Sequence, residues 1–178
     1  MRLFLEKGFD ETTVEDIADA VEISPSTFFN YFANKEAVVF EDELDPLILG
    51  AFNAAPADVS PVTALRRAMR EVFTELTPAQ DRLLQQRMRL LAATPELRAA
   101  MLNQFATLVD QIADLLSTRV GRRQDDFALH NIAGALLGVL MGAMQSFTEN
   151  PDADMYEIVD RSLAHFEAGL PLDWPPPG

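Results

Sequence analysis

The apolar positions of this sequence recur every three to four residues along nearly its whole length. Alternating strand patterns and Asn-Gly or Asp-Gly hairpin turns are absent. The pattern therefore predicts an all-α fold of about nine helices, over residues 1–7, 13–21, 25–32, 35–53, 61–76, 79–93, 95–120, 125–149 and 154–169. The proline-rich end, 171–178, is expected to form an extended tail.

Two short predicted helices stand close together between residues 12 and 39. The run Thr12-Thr13-Val14-Glu15 matches a capping box that would start the first of them. Ser24 is expected to cap the second helix, with Pro25 at its first position. Three phenylalanines are expected to point inward and anchor this second helix: Phe28, Phe29 and Phe32. Three small polar residues are expected to face outward: Ser26, Thr27 and Asn30.

Two helices joined by three or four residues, the second with a small polar outer face, are typical of a helix-turn-helix. Ser, Thr and Asn side chains can reach base edges in the major groove, and Tyr31 and Lys35 could contact phosphates. The alternative is a helical hairpin with an ordinary polar surface, because this geometry also occurs in proteins that do not bind DNA.

The segment "FLEKGFDETTVEDIADAVEISPSTFFNYFANKEAVV" resembles the N-terminal domain of the tetracycline-repressor (TetR) family of bacterial transcriptional regulators. The matches are Gly8-Phe9, Thr12-Thr13-Val14, Ile17-Ala18, Ile23-Ser24, Thr27-Phe28-Phe29, Tyr31-Phe32 and Lys35-Glu36. The resemblance implies a cytoplasmic homodimer that binds double-stranded DNA at a palindromic operator and is released by a small hydrophobic ligand. The DNA-binding positions that it implies, together with the cap of the second helix, are Thr13, Ser24, Pro25, Ser26, Thr27, Asn30, Tyr31 and Lys35.

The sequence departs from the family pattern in two ways. The family commonly has a glycine in the turn between the two helices, whereas this sequence has Val21-Glu22, so a residue with a side chain would take a positive φ there. The basic arm that normally precedes the first helix is also missing, and residues 1–45 have a formal charge of −9. We expect a natural start roughly 15–30 residues upstream, because DNA binding depends on cations that displace phosphate counterions. The alternative is a dimeric ligand sensor that acts through a protein partner without DNA.

The composition shift near residue 45 predicts a DNA-binding domain at 1–45 and a ligand-binding and dimerisation domain at 46–170. In the second domain, "LLQQRMRLLAATPELRAAM" resembles a subgroup whose relatives regulate lipid and redox-cofactor metabolism. Gly134, Gly138 and Gly142 lie four residues apart and would permit close approach of a second helix. Together with Ile158, Leu163 and Phe166 on the last helix, they are the predicted dimer interface. The alternative is that the glycines let this helix cross neighbours in its own chain.

The predicted ligand contacts are apolar and polar residues at helical spacing: Met69, Phe73, Met88, Leu91, Phe105, Leu108, Met141 and Gln145. The alternative is that these residues fill an ordinary helical core, which methionine and phenylalanine do equally well.

The composition excludes several other classes of protein. The 178 residues include no cysteine, which excludes disulfides, thiolate catalysis and Cys-ligated zinc. The two histidines are far apart, and no metalloprotease, nucleophile-elbow, phosphate-loop or calcium-loop motif is present, so we expect no enzyme, catalytic residue, cofactor or metal site. The apolar run from Ile132 to Met144 is shorter than the roughly 20 residues of a membrane span, so we expect a buried helix and no membrane partner. No signal peptide is evident.

Overall fold

The computed structural model describes residues 1–41, 43–123 and 125–171, and within these ranges it contains eleven α-helices and no β-strand. The first four helices, called the head, are α1 (Arg2–Lys7), α2 (Val14–Ala20), α3 (Pro25–Tyr31) and α4 (Lys35–Phe40). The other seven, called the body, are α5 (Leu44–Ala54), α6 (Pro61–Thr74), α7 (Pro78–Ala93), α8 (Pro95–Asn103), α9 (Phe105–Val120), α10 (Phe127–Glu149) and α11 (Met155–Glu167). The all-α prediction is confirmed. The predicted tail 171–178 lies outside the described residues except for Pro171.

The helix predicted over 35–53 is in fact two helices, α4 and α5. They are separated around Glu41, whose backbone is extended at φ −70° and ψ 126°. Pro46 gives the physical reason, because a proline inside a helix cannot donate a backbone hydrogen bond and clashes with the preceding turn. Since α5 begins at Leu44, Pro46 lies in its first turn, where the missing N–H has no helical acceptor to lose.

The helix predicted over 95–120 is also divided, into α8 and α9. The division is at Gln104, whose φ of −91° and ψ of 0° depart from the values of a regular α-helix. Its N–H donates to the carbonyl of Met101, three residues back, rather than four residues back as in a regular α-helix. The regular pattern of helical hydrogen bonds is therefore interrupted between α8 and α9.

The main apolar core lies in the body, between α6, α9, α10 and α11. Ala64 and Ala113 are completely buried where helices approach one another, and Phe147 and Leu163 fill the space between them. Burying one such large side chain contributes about 1.5–3 kcal/mol to folding. The core therefore forms on the apolar faces that the helical periodicity predicts.

A second buried cluster joins the head to the body. Phe4, Phe9 and Val39 come from the head, and Leu91 and Leu97 come from α7 and α8. The rings of Phe4 and Phe9 have their centroids 5.2 Å apart. The head is therefore packed against the body through apolar contacts, so a movement of α7 or α8 would be transmitted to α1 and α4.

Arg119, near the end of α9, connects this helix to the loop between α5 and α6. Its Nη1 donates to the carbonyls of Phe52 and Ala55 at 3.1 and 3.2 Å. Its Nη2 donates to the carbonyls of Pro56 and Val59 at 2.7 and 3.0 Å. The guanidinium lies 5.0 Å from the centre of the Phe52 ring. One side chain thus binds four carbonyls at the end of α5 and in the following loop, and two of these, Phe52 O and Pro56 O, also accept backbone N–H bonds.

α10 has 23 residues, close to the 25 predicted over 125–149. By length and composition alone it could cross a membrane, a property that the core helix of a soluble protein can share. Only 28% of its most apolar window is buried inside the protein. α10 therefore has one face in the core and another face that is exposed in the single chain, where Ile132, Gly138 and Gly142 lie.

Candidate nucleic-acid interface

The start of α3 is fixed by its cap. The Oγ of Ser24 accepts a hydrogen bond from the backbone N–H of Thr27 at 3.0 Å and lies 2.8 Å from the Oγ1 of Thr27. Pro25 occupies the first helical position, where a backbone N–H would have no acceptor within the helix, so proline loses no hydrogen bond there. Ser24, Pro25 and Thr27 therefore hold the first turn of α3 in shape.

The same cap occurs a second time in the chain. Ser60 accepts from the N–H of Thr63 at 3.1 Å, with Pro61 at the first position of α6, and the hydroxyls of Ser60 and Thr63 lie 2.7 Å apart. The pattern Ser-Pro-x-Thr thus starts a helix in the body as well as in the head. Its presence in the head is a structural feature and does not by itself indicate DNA binding.

The outer face of α3 carries the polar residues that the sequence places there. Ser26 and Asn30 are exposed, and Tyr31 is 77% exposed. Phe28 is buried and packs on Phe32, with ring centroids 5.2 Å apart. α3 therefore presents short polar side chains and one phenol to the solvent, while its other face is anchored in the head.

The prediction that Phe29 points inward is wrong. It is 56% exposed and lies edge-on to Phe28, with ring centroids 5.4 Å apart. Phe28 and Phe32 lie four residues apart and share the inner face, whereas the neighbouring residue Phe29 points to another side of α3. Phe29 thus adds an apolar surface to the outer face of α3, and the spacing from Phe28 was the signal that could have revealed it.

The turn between α2 and α3 takes the conformation expected of a glycine. Glu22 has φ +57°. Its N–H donates to Asp19 O at 3.2 Å, and the N–H of Ile23 donates to Ala18 O at 3.0 Å. These two bonds are the pair that ends a helix through a left-handed residue. The expectation that a side chain occupies a positive φ here is confirmed, and this residue is Glu22.

The capping box of α2 begins one residue later than predicted. Thr13 accepts from the N–H of Asp16 at 3.0 Å, and the Asp16 carboxylate accepts from the N–H of Thr13 at 3.0 Å. Thr12 is instead buried, and its hydroxyl donates to the carbonyl of Gly8 at 2.7 Å. A buried hydroxyl needs such a partner, so Thr12 belongs to the core of the head and Thr13 lies at the exposed helix start.

The three cations of the head are engaged within the head. Lys35 donates to the carbonyls of Phe9, Asp10 and Thr12 at 2.8, 3.3 and 3.2 Å, and its Nζ lies 4.4 Å from the centre of the Phe9 ring. Lys35 therefore holds the loop between α1 and α2. Arg2 pairs with Glu6 at 3.3 Å, and Lys7 pairs with Asp16 at 2.7 Å.

Asp16 has the most strongly shifted acidity in the head. The hydrogen bond from Lys7 and the two from Thr13 lower the pKa of Asp16 to about 2. The carboxylate is thus charged at all ordinary pH values and stabilises the first turn of α2, where the helix dipole favours a negative charge. The same charge lies beside the predicted DNA-contacting residue Thr13, so it offsets part of the attraction to phosphate.

The structure places the eight predicted ligand contacts in several different parts of the body. Leu91 belongs to the buried cluster between head and body, and Met69 packs against the main core. Met88 borders all three apolar clusters formed by the described residues. Phe73 stacks on Tyr156 with ring centroids 5.0 Å apart, beside a small cleft of about 110 Å³. The remaining four are partly buried or exposed: Phe105, Leu108, Met141 and Gln145.

The six predicted dimer residues fall into two groups. A Cβ atom added at Gly134, Gly138 or Gly142 would have no neighbour within 4 Å, so these glycines do not serve helix crossing within the chain. Ile158 and Leu163 are 6% and 0% exposed in the protein's own core, which leaves them almost no surface for a partner. Phe166 is partly buried against the same core.

Comparison with known proteins relates both parts of the chain to one family. The family model "Bacterial regulatory proteins, tetR family" matches residues 1–41. The family model "MftR C-terminal domain" matches residues 59–171, which is more than half of the chain.

Individual relatives agree with these matches. The chain is 31% identical over 189 aligned positions to the HTH-type transcriptional regulator TcmR of Streptomyces glaucescens, with 100% of this chain and 84% of that protein covered. It is 28% identical to the putative mycofactocin biosynthesis transcriptional regulator MftR of Mycobacterium tuberculosis, with 96% and 86% covered.

A solved structure of similar fold is Thermus thermophilus FadR, a TetR-family transcriptional repressor in complex with lauroyl-CoA. The sequence identity is 30%, the TM-score is 0.57, and 100% of this chain and 95% of that chain are covered. The two family models cover the helix-turn-helix of the head and helices α6 to α11 of the body. The chain therefore belongs to the TetR family of bacterial transcriptional regulators.

Proposed function

We propose that this protein is a dimeric repressor that binds a palindromic operator through its head and is released by a small hydrophobic ligand held in its body. The observation that carries the proposal is the α2–α3 helix-turn-helix, whose second helix exposes Ser26, Asn30 and Tyr31 to the solvent. We assign DNA binding to residues 1–45, and ligand binding and dimerisation to residues 46–170. The family membership and the repressor FadR, which binds lauroyl-CoA, support this division of labour.

The exposed residues of α3 suit different tasks on DNA. Asn30 can donate to and accept from one adenine edge, which gives sequence preference. Ser26 can reach a base or a phosphate, and the phenol of Tyr31 can donate to a phosphate oxygen. Lys35 contributes by positioning, because its ammonium already binds three carbonyls of the loop that leads to Thr13.

Fluorescence anisotropy with the intergenic DNA beside the protein's own gene tests the proposal. We expect Asn30→Ala to lose about 1–3 kcal/mol of discrimination between operator and mutated operator. Tyr31→Phe is expected to weaken binding to all sequences alike, because it removes a phosphate contact. Asn53→Ala, which changes an exposed Asn on α5, is the matched control and should bind as the parent does. Unchanged discrimination in Asn30→Ala would remove α3 from the recognition role.

The cap residues have a control within the chain. Ser24→Ala and Ser60→Ala remove the same kind of hydrogen bond at the start of α3 and of α6. Each should lower stability by about 0.5–2 kcal/mol. If Ser24 also contacts DNA, only Ser24→Ala should weaken operator binding at a temperature where both variants are folded. Equal operator affinities would show that Ser24 acts only as a cap.

The second candidate function is a ligand sensor that acts through a protein partner. It is favoured by the charge of the head, because Arg2, Lys7 and Lys35 are all engaged internally. Salt dependence separates the two functions: a DNA-binding head loses affinity steeply between about 50 and 200 mM salt. Absence of operator binding at the lower concentration would refute the repressor and leave the sensor.

We propose that dimerisation uses the glycine face of α10. This face is open in the single chain, and most of the apolar window of α10 is unburied. Ile158 and Leu163 belong to the core, and Phe166 flanks the interface. Sedimentation of Gly138→Arg against Gly50→Arg tests this, because both glycines have open space beside them and only the first lies on α10. We expect only Gly138→Arg to be monomeric at micromolar concentration. Two dimeric variants would place the interface elsewhere.

Release by ligand requires a change in the distance between the two heads. In a palindrome the heads must be roughly 34–36 Å apart to enter successive major grooves. A ligand that favours another separation by about 1–3 kcal/mol lowers the affinity for operator about five- to 150-fold. The cluster between head and body gives the path, because Leu91 and Leu97 pack directly on Phe4, Phe9 and Val39.

A further inference from the structure

Two adjoining clefts run along α5, on the side where the body meets the head. The smaller one, about 180 Å³, lies between the head and α7, and its walls include Met1, Val38 and Leu83. The larger one, about 440 Å³, lies between α5 and α6, and its walls include Leu47, Gly50 and Val72. Leu44 and Gln80 line both clefts, so the two form one groove, called here the α5 groove.

The floor of the α5 groove is apolar and accessible. Leu47 on α5 is 56% exposed and Leu83 on α7 is 48% exposed. Leu44, Val72 and Leu84 form a small buried cluster beneath them. Exposed large apolar residues grouped in a concave surface are typical of sites that bind an apolar body.

The rim of the α5 groove is acidic. Glu41 and Glu43 line the smaller cleft, and Glu71 and Glu75 line the larger one. Among the described residues that line the two clefts, Arg87 has the only basic side chain, so these side chains have a formal charge of −3. Arg87 donates to the carbonyl of Glu41 at 3.2 Å. Among the described residues, no ion pair involves the carboxylate of Glu71 or Glu75.

An apolar floor under an acidic rim favours an occupant that is both apolar and positively charged. An amphiphile with an anionic group would bring its charge against four carboxylates. A cationic group would instead be attracted by them, while its apolar part covers the exposed leucines. Lauroyl-CoA, the ligand of FadR, carries negative phosphates, so its charged part does not suit this rim.

We propose that the α5 groove binds an organic cation with an apolar body, such as an alkylammonium or a flat aromatic cation. The apolar body lies on Leu47 and Leu83. The cation lies among the four lining glutamates, Glu41, Glu43, Glu71 and Glu75. The groove is formed jointly by head and body, because Met1 and Val38 face α7 across it. An occupant therefore changes how the head sits on the body. This last consequence, operator release, rests on the proposed function.

Calorimetric titration of the full chain, without DNA, tests the site. The probes are dodecyltrimethylammonium and dodecanoate below their micelle concentrations, which have the same chain and opposite charges, and lauroyl-CoA. We expect the ammonium to bind at least about tenfold more tightly than dodecanoate, since opposite charges in a concave site attract and like charges repel. Equal or tighter binding of dodecanoate or lauroyl-CoA would overturn the choice of a cation.

Substitutions in the rim test the charge. Glu71→Gln with Glu75→Gln should weaken binding of the ammonium about three- to tenfold, the effect of two partly exposed charges. Glu96→Gln with Glu149→Gln is the matched control, because it removes the same total charge from exposed residues that do not line the groove. Equal losses in the two double variants would mean that only the overall charge of the protein attracts the ammonium.

Substitutions in the floor test the location. Gly50 lines the larger cleft, and a Cβ atom there would meet nothing within 4 Å. Gly50→Phe should fill the cleft and abolish binding. Gly50→Ala should fold at least as stably as the parent and keep its affinity, because alanine favours a helix interior. Binding that survives Gly50→Phe would place the cation elsewhere.

The readouts separate the two proposals. Ammonium binding without any operator binding supports the α5 groove and refutes the repressor function. Operator binding without ammonium binding refutes the groove and leaves the repressor function standing. Where both occur, anisotropy with added ammonium should show release of operator, and Gly50→Phe should keep its operator affinity while losing the release.

Discussion

Replacing Glu22 by glycine is expected to stabilise the protein. Glu22 adopts φ +57° in the turn between α2 and α3, where its N–H and that of Ile23 close the end of α2. A side chain in this left-handed region crowds the following carbonyl, whereas glycine has no Cβ and adopts the conformation freely. The two hydrogen bonds involve backbone atoms alone, so Glu22→Gly should keep them.

The size of the effect follows from two opposing terms. The left-handed conformation costs a residue with a side chain roughly 1–2 kcal/mol. Glycine loses more freedom on folding than other residues, which costs about 0.4–1 kcal/mol. The net gain is therefore about 0.5–1 kcal/mol, which for a chain of this length corresponds to about 1–4 °C in Tm.

The control must separate the backbone from the charge. Glu22 is a negative residue at the C-terminal end of a helix, where the dipole disfavours it, so removal of the charge alone also stabilises. Glu22→Gln removes the charge but keeps the strained backbone and the size of the side chain. Thermal and urea unfolding of the parent, Glu22→Gln and Glu22→Gly then give the two contributions separately.

The difference in stability between Glu22→Gly and Glu22→Gln shows whether the backbone at residue 22 is strained. We expect Glu22→Gly to be more stable than Glu22→Gln by about 0.5–1 kcal/mol. If the glycine variant is equal to or less stable than the glutamine variant, the turn is not strained by its side chain. The observed positive φ would then have no energetic consequence.

Three further predictions concern other parts of the protein. Arg119→Met removes four hydrogen bonds to carbonyls of the α5–α6 region and should lower the free energy of unfolding, measured in urea, by about 2–4 kcal/mol. Arg119→Lys should lower it less. Equal losses would show that the two donor groups of the guanidinium are unimportant. Leu97→Ala, in the cluster between head and body where Leu97 is completely buried, should cost about 2–5 kcal/mol, and a loss below 1 kcal/mol would contradict that packing. The pKa of Asp16 is depressed to about 2 from an ordinary 3.8, so the ionised carboxylate stabilises the folded protein fully above the ordinary pKa and loses this effect as the pH falls through about 2. Asp16→Asn should therefore be less stable than the parent at pH 7 but not at pH 2. A carboxyl NMR titration with a midpoint near 4 would refute the shift.

Local signals in the sequence account for much of the fold. The starts of α3, α6 and α7 are each marked by Ser or Thr followed by Pro, since the cap bond involves residues only three positions apart. The left-handed turn at Glu22 is predictable for the same reason, because it depends on the helix just before it. Pro46 also marked the start of α5, although helical periodicity alone runs through it.

Contacts between distant residues account for what the sequence did not predict. The Lys35 ammonium binds carbonyls 23 to 26 residues away, so nothing near it in the sequence distinguishes it from a free phosphate contact. Leu91 looks like a pocket residue by its spacing, but it packs on the head. The α5 groove likewise combines α4, α5, α6 and α7, which no local pattern brings together.

The sequence by itself determined the helical class, the helix-turn-helix and the family, because periodicity, caps and motif order are local and ordered along the chain. The tertiary structure alone decided which apolar faces are buried. Leu163 and Gly138 both belong to apolar helices, yet Leu163 is enclosed in the core and Gly138 faces open space. Periodicity defines a face of a helix, but only the packing of all the helices determines what that face meets, and hence whether it serves the core, a ligand or a second copy of the chain.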